Sequence, residues 1–181
     1  LRRATDPWES HLGGLMNTAL PEPSIPSHQG PDARSVDPDL DVVTMAVAVP
    51  MTIAHIHYWA VDLARATTED EVRAAFASSS RIALLRGDAG LVAPNVVKEL
   101  MADTGRPHDS LYEVGLWADM LRVQGTELFY AYMVDNQAIV IPETVDAIRA
   151  LSDHPVTAAE SIAMTDGSLG MGTPFAARRN A

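Results

Sequence analysis

The chain has 181 residues, with 24 acidic against 13 basic side chains and a formal net charge of −11. That charge argues against nonspecific binding to nucleic acid or to an anionic membrane, because neutralising phosphates needs a dense basic surface. There is no cysteine, so these residues supply no disulfide and no thiolate nucleophile, and no apolar run approaches the roughly 18 residues of a membrane span.

The first third of the chain contains two different kinds of segment. Prolines are frequent in residues 1–40, which predicts an ordered but irregular excursion without long helices or central strands. Apolar and β-branched residues follow and predict strands over 41–49 and 53–63. Both faces of the second strand are largely apolar, so we expect it to be central in its sheet and covered on each side.

Helix signals begin at Thr68 and Glu71, which have the spacing of a capping box. The remaining pattern predicts a strand at 82–85, a helix at about 95–104, two strands at 111–121 and 127–134, a helix opened by Pro142, and a capped helix from Thr157 to near Gly167. Gln124-Gly125 predicts a hairpin turn between the two strands. Because helices and strands do not alternate strictly, we predict an α+β fold with a mostly antiparallel or mixed sheet covered by helices.

Histidines are the clearest candidates for chemistry. His55 and His57 share one face of the predicted strand, about 6–7 Å apart along it. Three interpretations stay open: histidines satisfied by local hydrogen bonds, a general base with its neighbour, or two ligands of a metal ion. A metal site needs a third ligand, and no cysteine or neighbouring HxxE pattern supplies one.

Three polar segments are further candidates. Residues 27–32 form a turn-rich loop containing His28 and Gln29, where an anion could bind or where the loop could be purely structural. The 135–137 segment, with Asn136 at its centre, follows a predicted strand, and its amides could bind a ligand carboxamide or cap the backbone. Arg2 and Arg3 could bind a phosphate or carboxylate, or form a solvated end.

Six segments follow one another along the chain: RRATDP at residues 2–7, IPSHQGPD at 25–32, VPMTIAHIH at 49–57, LYEV at 111–114, LFY at 128–130 and VIPETVDAIRA at 140–150. Together and in this order they resemble the C-terminal half of archaeal-type (type II) glyceraldehyde-3-phosphate dehydrogenase. Each segment is weak alone, whereas the ordered set is specific.

The resemblance implies a catalytic domain of dehydrogenase type that lacks the NAD(P)-binding Rossmann domain. In this family a cysteine thiolate attacks the aldehyde of glyceraldehyde 3-phosphate, hydride passes to the nicotinamide, and inorganic phosphate releases 1,3-bisphosphoglycerate. The implied base is His55, the implied substrate-phosphate residues are His28 and Gln29, and the implied cofactor contacts are Arg3 and Asn136. A cytoplasmic homotetramer with NAD or NADP as cofactor is also implied, with no nucleic acid, membrane or metal.

Two positions depart from the family pattern, in which a histidine stands at position 29 and a glutamine at position 136. The family's nucleophilic cysteine falls before residue 2 and is outside this sequence. Because the sequence also begins with Leu1, we expect a fragment of a longer enzyme, inactive alone, with an ordered excursion over 1–40, a catalytic domain over 41–152 and a closing helix and tail over 153–181 that pack on the Rossmann domain. The alternative is a noncatalytic assembly or ligand-binding module derived from the same fold.

Overall fold

The computed structural model describes residues 19–152, 156–172 and 175, together with the backbone of residues 2–3. Its chain divides into two units, Leu1–His55 and Ile56–Ala181. Both contain strands, and helices accompany them, so the predicted α+β class with a mixed sheet is confirmed.

Over its described residues, the first unit contains a three-stranded sheet and a helix. Its sheet has the order β1-β3-β2, where the strands are β1 (Arg2–Arg3), β2 (Leu20–Pro21) and β3 (Val47–Val49). Strand β1 is parallel to β3, with Arg3 opposite Val49, and β2 is antiparallel to it. The helix α1 (Gln29–Val36) lies between β2 and β3 in the chain.

The strand predicted over 41–49 is wrong for most of its length, since only β3 is a strand. The backbone of residues 41–46 makes hydrogen bonds to a side chain and a loop, and among the described residues it does not pair with a strand. The Arg34 guanidinium donates to the carbonyl of Leu40 at 3.2 Å and to that of Val42 at 2.9 Å, and the Ser27 amide donates to the carbonyl of Thr44 at 2.8 Å. These contacts with a side chain and a loop take the place of a ladder to a neighbouring strand.

The second unit is built on a five-stranded sheet. Four strands form the path β4-β8-β6-β5, and β7 pairs with β8. Their bounds are β4 (Ala54–Asp62), which starts at the end of the first unit, β5 (Ile82–Leu85), β6 (Val114–Trp117), β7 (Arg122–Gln124) and β8 (Glu127–Asp135). Strands β5 and β6 are parallel, whereas β8 is antiparallel to both β6 and β7, so the sheet is mixed.

The long strand predicted over 111–121 is broken, while the hairpin after it is confirmed. A 3-10 turn, Ala118–Met120, separates β6 from β7. Strands β7 and β8 then pair with Gln124 opposite Glu127. Gly125 has φ +67° in the turn, a conformation that costs glycine little and other residues more.

Strand β4 is at an edge of this sheet, so the expectation that it is central and covered on both sides is wrong. One face is half-buried, with His57, Trp59 and Val61, whereas Tyr58 on the other face is 64% exposed. Aromatic and β-branched residues favour strands at an edge as much as in the centre of a sheet. Their preference for strands reflects side-chain packing on a pleated surface and does not depend on the position of the strand in the sheet.

The described part of the second unit also contains four α-helices: α2 (Glu69–Ala77), α3 (Pro94–Asp103), α4 (Ile141–Leu151) and α5 (Ala158–Leu169). Helix α2 begins with the predicted capping box at Thr68 and Glu71, and Val72 and Phe76 pack against a core of Leu116, Leu121 and Leu128. Helix α3 buries Val97, Leu100 and Met101, as predicted.

Helix α5 also begins with its predicted capping box, at Thr157 and Glu160. It ends later than expected, at Leu169 rather than near Gly167, because Gly170 with φ +62° forms the left-handed cap. Within the described residues, no helix has the length and apolar character required to cross a bilayer.

Candidate active site

The imidazole of His55 lies near the start of β4. Ala54 before it is fully buried, and His55 itself is half-buried. The alternation of a strand places the side chain of His57 on the same face, two residues further along. The sequence predicts this arrangement because the run from Ile53 to Leu63 has strand character throughout.

His57 belongs to a row of aromatic rings. Its ring stacks on Tyr132 of β8 with centroids 4.8 Å apart and 13° between planes, and Trp59 stacks on Tyr130 at 6.3 Å. Burial lowers the pKa of His57, so its neutral form is favoured. These contacts support a packing role for His57. Among the described residues there is also no group of three His, Cys, Asp or Glu side chains that could hold a metal ion.

His28 and Gln29 lie at the start of α1. His28 is the N-cap residue, exposed and without a side-chain capping bond, and Gln29 is the first helical residue. The Ser27 hydroxyl donates to Oε1 of Gln29 at 2.6 Å, which leaves the Nε2 amide of Gln29 as a donor. Positive partial charge at a helix N-terminus favours an anion there.

A network of hydroxyl groups holds the start of this helix in place. Ser27 is fully buried, and its Oγ lies 3.0 Å from Oγ1 of Thr44. Thr44 donates to the Ser27 carbonyl and accepts from the Gly30 amide, each at 3.0 Å. A Cβ on Gly30 would meet Thr44 Oγ1 at 2.9 Å, so this close approach requires glycine. The role of Thr44 was not predicted, and a threonine within an apolar run was its only signal.

Asn136 follows β8 directly. Both polar atoms of its carboxamide are buried, and neither has a hydrogen-bond partner within the part of the chain that the structure describes. Such an orphaned amide is rare and costly in a folded protein, and it fits a ligand that offers one donor and one acceptor. A nicotinamide carboxamide has that donor–acceptor pair, so the residue present fits the implied cofactor.

The neighbouring Asp135 is a residue whose importance was not predicted. It is 3% exposed and lies 2.6 Å from the ammonium of Lys98, which belongs to α3. The 135–137 segment was predicted to bind a carboxamide or to cap the backbone. The capping is done by the carboxylate of Asp135, which accepts from the amides of Gln137 and Ala138.

The structure groups only part of the predicted set. His28 and Gln29 are adjacent at one helix start, and His55 belongs to the same unit, whereas Asn136 belongs to the second unit. The backbone of Arg3 pairs in β1, and its side chain lies outside the described residues.

A cleft of about 600 Å³ in the second unit contains none of these residues among its described lining. Its two guanidinium groups, of Arg73 and Arg86, are each already paired with a nearby aspartate, Asp70 and Asp88. Of the described side chains, those of His28, Gln29, His55 and Asn136 therefore lie outside this cleft.

A mixed sheet backed by helices, with a half-buried histidine on one strand and a polar loop after another, is an α+β arrangement. A sequence model of the family described as glyceraldehyde 3-phosphate dehydrogenase, C-terminal domain, matches residues 15–105. That range includes His28, Gln29 and His55. The chain belongs to this family.

Relatives named glyceraldehyde-3-phosphate dehydrogenase support the same assignment. The protein from Metallosphaera sedula is 40% identical over 97% of this chain. That from Haloarcula marismortui is 39% identical over 95%, and that from Pyrobaculum calidifontis is 44% identical over 93%. The chain spans 51%, 49% and 48% of these relatives, about half the length of each.

Proposed function

We propose that this chain is the catalytic domain of a phosphorylating, NAD(P)-dependent glyceraldehyde-3-phosphate dehydrogenase, working as part of a longer protein. The observation that carries the proposal is the half-buried imidazole of His55, on a regular strand, in a chain about 40% identical to dehydrogenases of that name. A strand holds a base more rigidly than a loop, which suits a group that must meet its proton at hydrogen-bond distance.

His55 has the role of general base in this proposal. Its neutral imidazole accepts the proton of a thiol supplied by the preceding half of the protein, which makes the nucleophile. The imidazolium returns this proton to the alkoxide that forms when the thiolate adds to the aldehyde. The neutral imidazole then accepts the proton of the resulting hydroxyl as hydride leaves the same carbon. The bound nicotinamide supplies an acceptor for hydride. His57 and Trp59 belong to the same strand, and their stacking on Tyr132 and Tyr130 of β8 helps to hold it in place.

Anion binding is assigned to His28 and Gln29. The exposed imidazole of His28 and the Nε2 amide of Gln29 lie where the dipole of α1 favours negative charge, and the substrate phosphate or inorganic phosphate is the ligand we assign to them. Asn136 is assigned to the nicotinamide carboxamide, on the evidence of its orphaned amide. Arg3 stays a prediction from the resemblance.

A homotetramer assembled through the sheet is a further part of the proposal. Stacking puts Trp59 and Tyr130 on one face, so alternation puts Tyr58 and Phe129 on the other, where they are 64% and 36% exposed. An exposed aromatic surface of this kind fits an interface between copies. The cytoplasmic location, the choice between NAD and NADP, and the segments 1–40, 41–152 and 153–181 stay predictions.

The test is His55→Ala in the full-length protein, with turnover of glyceraldehyde 3-phosphate measured by cofactor reduction. Removing a positioned base typically costs about 10²–10⁴ in rate, and we expect a loss in that range. The matched control is His108→Asn, which changes an exposed histidine with φ +54°, a conformation that asparagine tolerates, and should leave the rate unchanged. Full turnover in the His55 variant would remove this residue from the mechanism.

A further inference from the structure

Asp135, the last residue of β8, is the acceptor for four separate donors. Its Oδ2 accepts from the Lys98 ammonium at 2.6 Å and from the Leu111 amide at 3.2 Å. Its Oδ1 accepts from the Gln137 amide at 3.1 Å and from the Ala138 amide at 3.3 Å. A carboxylate with two oxygens has room for all four bonds, and a neutral side chain of this size does not.

The bonds at Oδ1 restrain the backbone on the far side of Asn136. Asp135 precedes that residue and Gln137 follows it, so one side chain ties both ends of the short turn that carries Asn136. The Ile139 amide donates to the Asp135 carbonyl at 3.0 Å and closes the same turn through the backbone. Aspartate is suited to this role because its short side chain reaches amides two and three residues ahead.

Lys98 holds the carboxylate in turn. Its side chain is 18% exposed, and its ammonium also donates to the His108 carbonyl at 3.3 Å. The ammonium compensates the charge of a carboxylate that is 3% exposed, which would otherwise be costly to bury. A helix, a strand end and a loop therefore meet at this one ion pair.

The turn carries the side chain of Asn136. Both polar atoms of its carboxamide are buried, and neither has a hydrogen-bond partner within the described residues. A network of five bonds around a residue whose own amide is unsatisfied is the arrangement expected when the amide is kept ready for a ligand. Preorganisation of this kind lowers the entropy lost when the ligand binds.

We infer that Asp135, held by Lys98, is a positioning residue that orients the Asn136 carboxamide toward the carboxamide of the nicotinamide cofactor. The inference rests on the proposed function. Two carboxamides satisfy each other through a pair of N–H···O bonds only if both planes are aligned, so affinity depends on the orientation of Asn136 as well as on its presence.

The test is a double-mutant cycle in the full-length protein, with NAD and NADP titrated separately and binding followed by calorimetry. We expect Asn136→Ala to weaken binding of the preferred cofactor about tenfold, the loss of roughly one hydrogen bond. Asp135→Ala should weaken it by a similar factor, and Asp135→Ala in the Asn136→Ala background should add nothing. Lys98→Met should follow Asp135→Ala in direction.

A second readout needs no cofactor. In the free protein, hydrogen exchange at the Gln137 and Ala138 amides should accelerate in Asp135→Ala and stay slow in Asp135→Asn, because asparagine keeps an Oδ1 acceptor. Where Asp135→Ala fails to fold, Lys98→Met takes its place in the double-mutant cycle. The matched control is Asp166→Asn, which changes a buried carboxylate in the cluster around Arg81 and should leave cofactor affinity unchanged.

Two results would overturn the positioning role. One is additive losses of cofactor affinity in Asp135→Ala and Asn136→Ala. The other is a loss of affinity in Asn136→Ala with none in Asp135→Ala. Unchanged affinity in Asn136→Ala would also overturn it, by removing the contact that Asp135 is inferred to orient. Unchanged affinity in Asn136→Ala would also remove the cofactor contact assigned to Asn136, but none of these results decides the catalytic role of His55, which the His55→Ala measurement tests separately.

Discussion

Arg106 and Glu113 form a bidentate ion pair, with their nitrogen and oxygen atoms 2.6 and 2.7 Å apart and with side chains 6% and 0% exposed. The pair connects the loop after α3 to the strand region and also holds the segment after α5. Arg106 donates to the Gly170 carbonyl at 2.9 Å, and Glu113 accepts from the Gly172 amide at 2.7 Å. A buried pair with this many additional bonds has the geometry that offsets its desolvation.

We predict that Glu113→Gln lowers the free energy of unfolding by about 3–5 kcal/mol, because it leaves a buried guanidinium without its counter-charge. Urea denaturation measures the change. The control is Asp70→Asn, which breaks an exposed pair with Arg73 and should cost about 0.5 kcal/mol or less. A loss from Glu113→Gln as small as that of the control would show that the pair contributes little.

His57 should make stability depend on pH. Burial lowers its pKa in the folded protein from the usual 6.5, so below pH 6.5 the unfolded chain binds more protons than the folded chain. The free energy of unfolding therefore falls as the pH drops below about 6.5. His57→Phe, which keeps a ring against Tyr132, should flatten this dependence in urea titrations between pH 5 and 7.5, whereas an exposed control, His108→Asn, should preserve it. An unchanged slope in His57→Phe would contradict the prediction.

Asp146 should make stability sensitive to stronger acid. Burial raises the pKa of its carboxyl, but hydrogen bonds from Thr165, Ser161 and Arg81 outweigh burial and bring the pKa to about 2. Because the folded pKa lies below the ordinary 3.8, this stabilisation is present above about pH 4 and is lost as the pH falls toward 2.

The measurement is the free energy of unfolding between pH 2 and 5. Asp146→Asn should be less stable than the parent at pH 5 and should converge toward it near pH 2. The control is Asp62→Asn, at an exposed carboxylate of β4, which should run parallel to the parent. A constant difference between Asp146→Asn and the parent across this range would argue against the prediction.

The cap of α2 should be worth about 1 kcal/mol. Thr68 Oγ1 accepts from the Glu71 amide at 3.2 Å, and Glu71 accepts from the Thr68 amide at 2.9 Å. Thr68→Ala removes the first bond and should cost about 1 kcal/mol of unfolding free energy in thermal or urea melts. The control is Thr67→Ala. It should cost less, because the Thr67 hydroxyl donates to Glu71 but caps no backbone amide.

Some features of this protein follow from the sequence because their physics is local. The two capping boxes depend on residues three apart, and the turn at Gly125 depends on one backbone conformation, so both could be predicted without knowing what packs nearby. The site residues His28, Gln29 and Asn136 were predicted from a turn-rich loop, a strand end and the resemblance. Their assigned roles stay predictions.

Other features depend on which elements meet in space. The apolar pattern of 53–63 is the same for a central and an edge strand, and the pairing with β8 on one side alone decided the edge position. Likewise, the sequence shows Asp135 only as one polar residue in a loop. Lys98 is 37 residues away and Leu111 is 24 residues away, and only the packing of α3 and that loop around the strand end brings them to one carboxylate. Hydrogen-bond and dihedral preferences over a few residues are determined by the local sequence. Burial and charge pairing between distant segments exist only once the chain has folded.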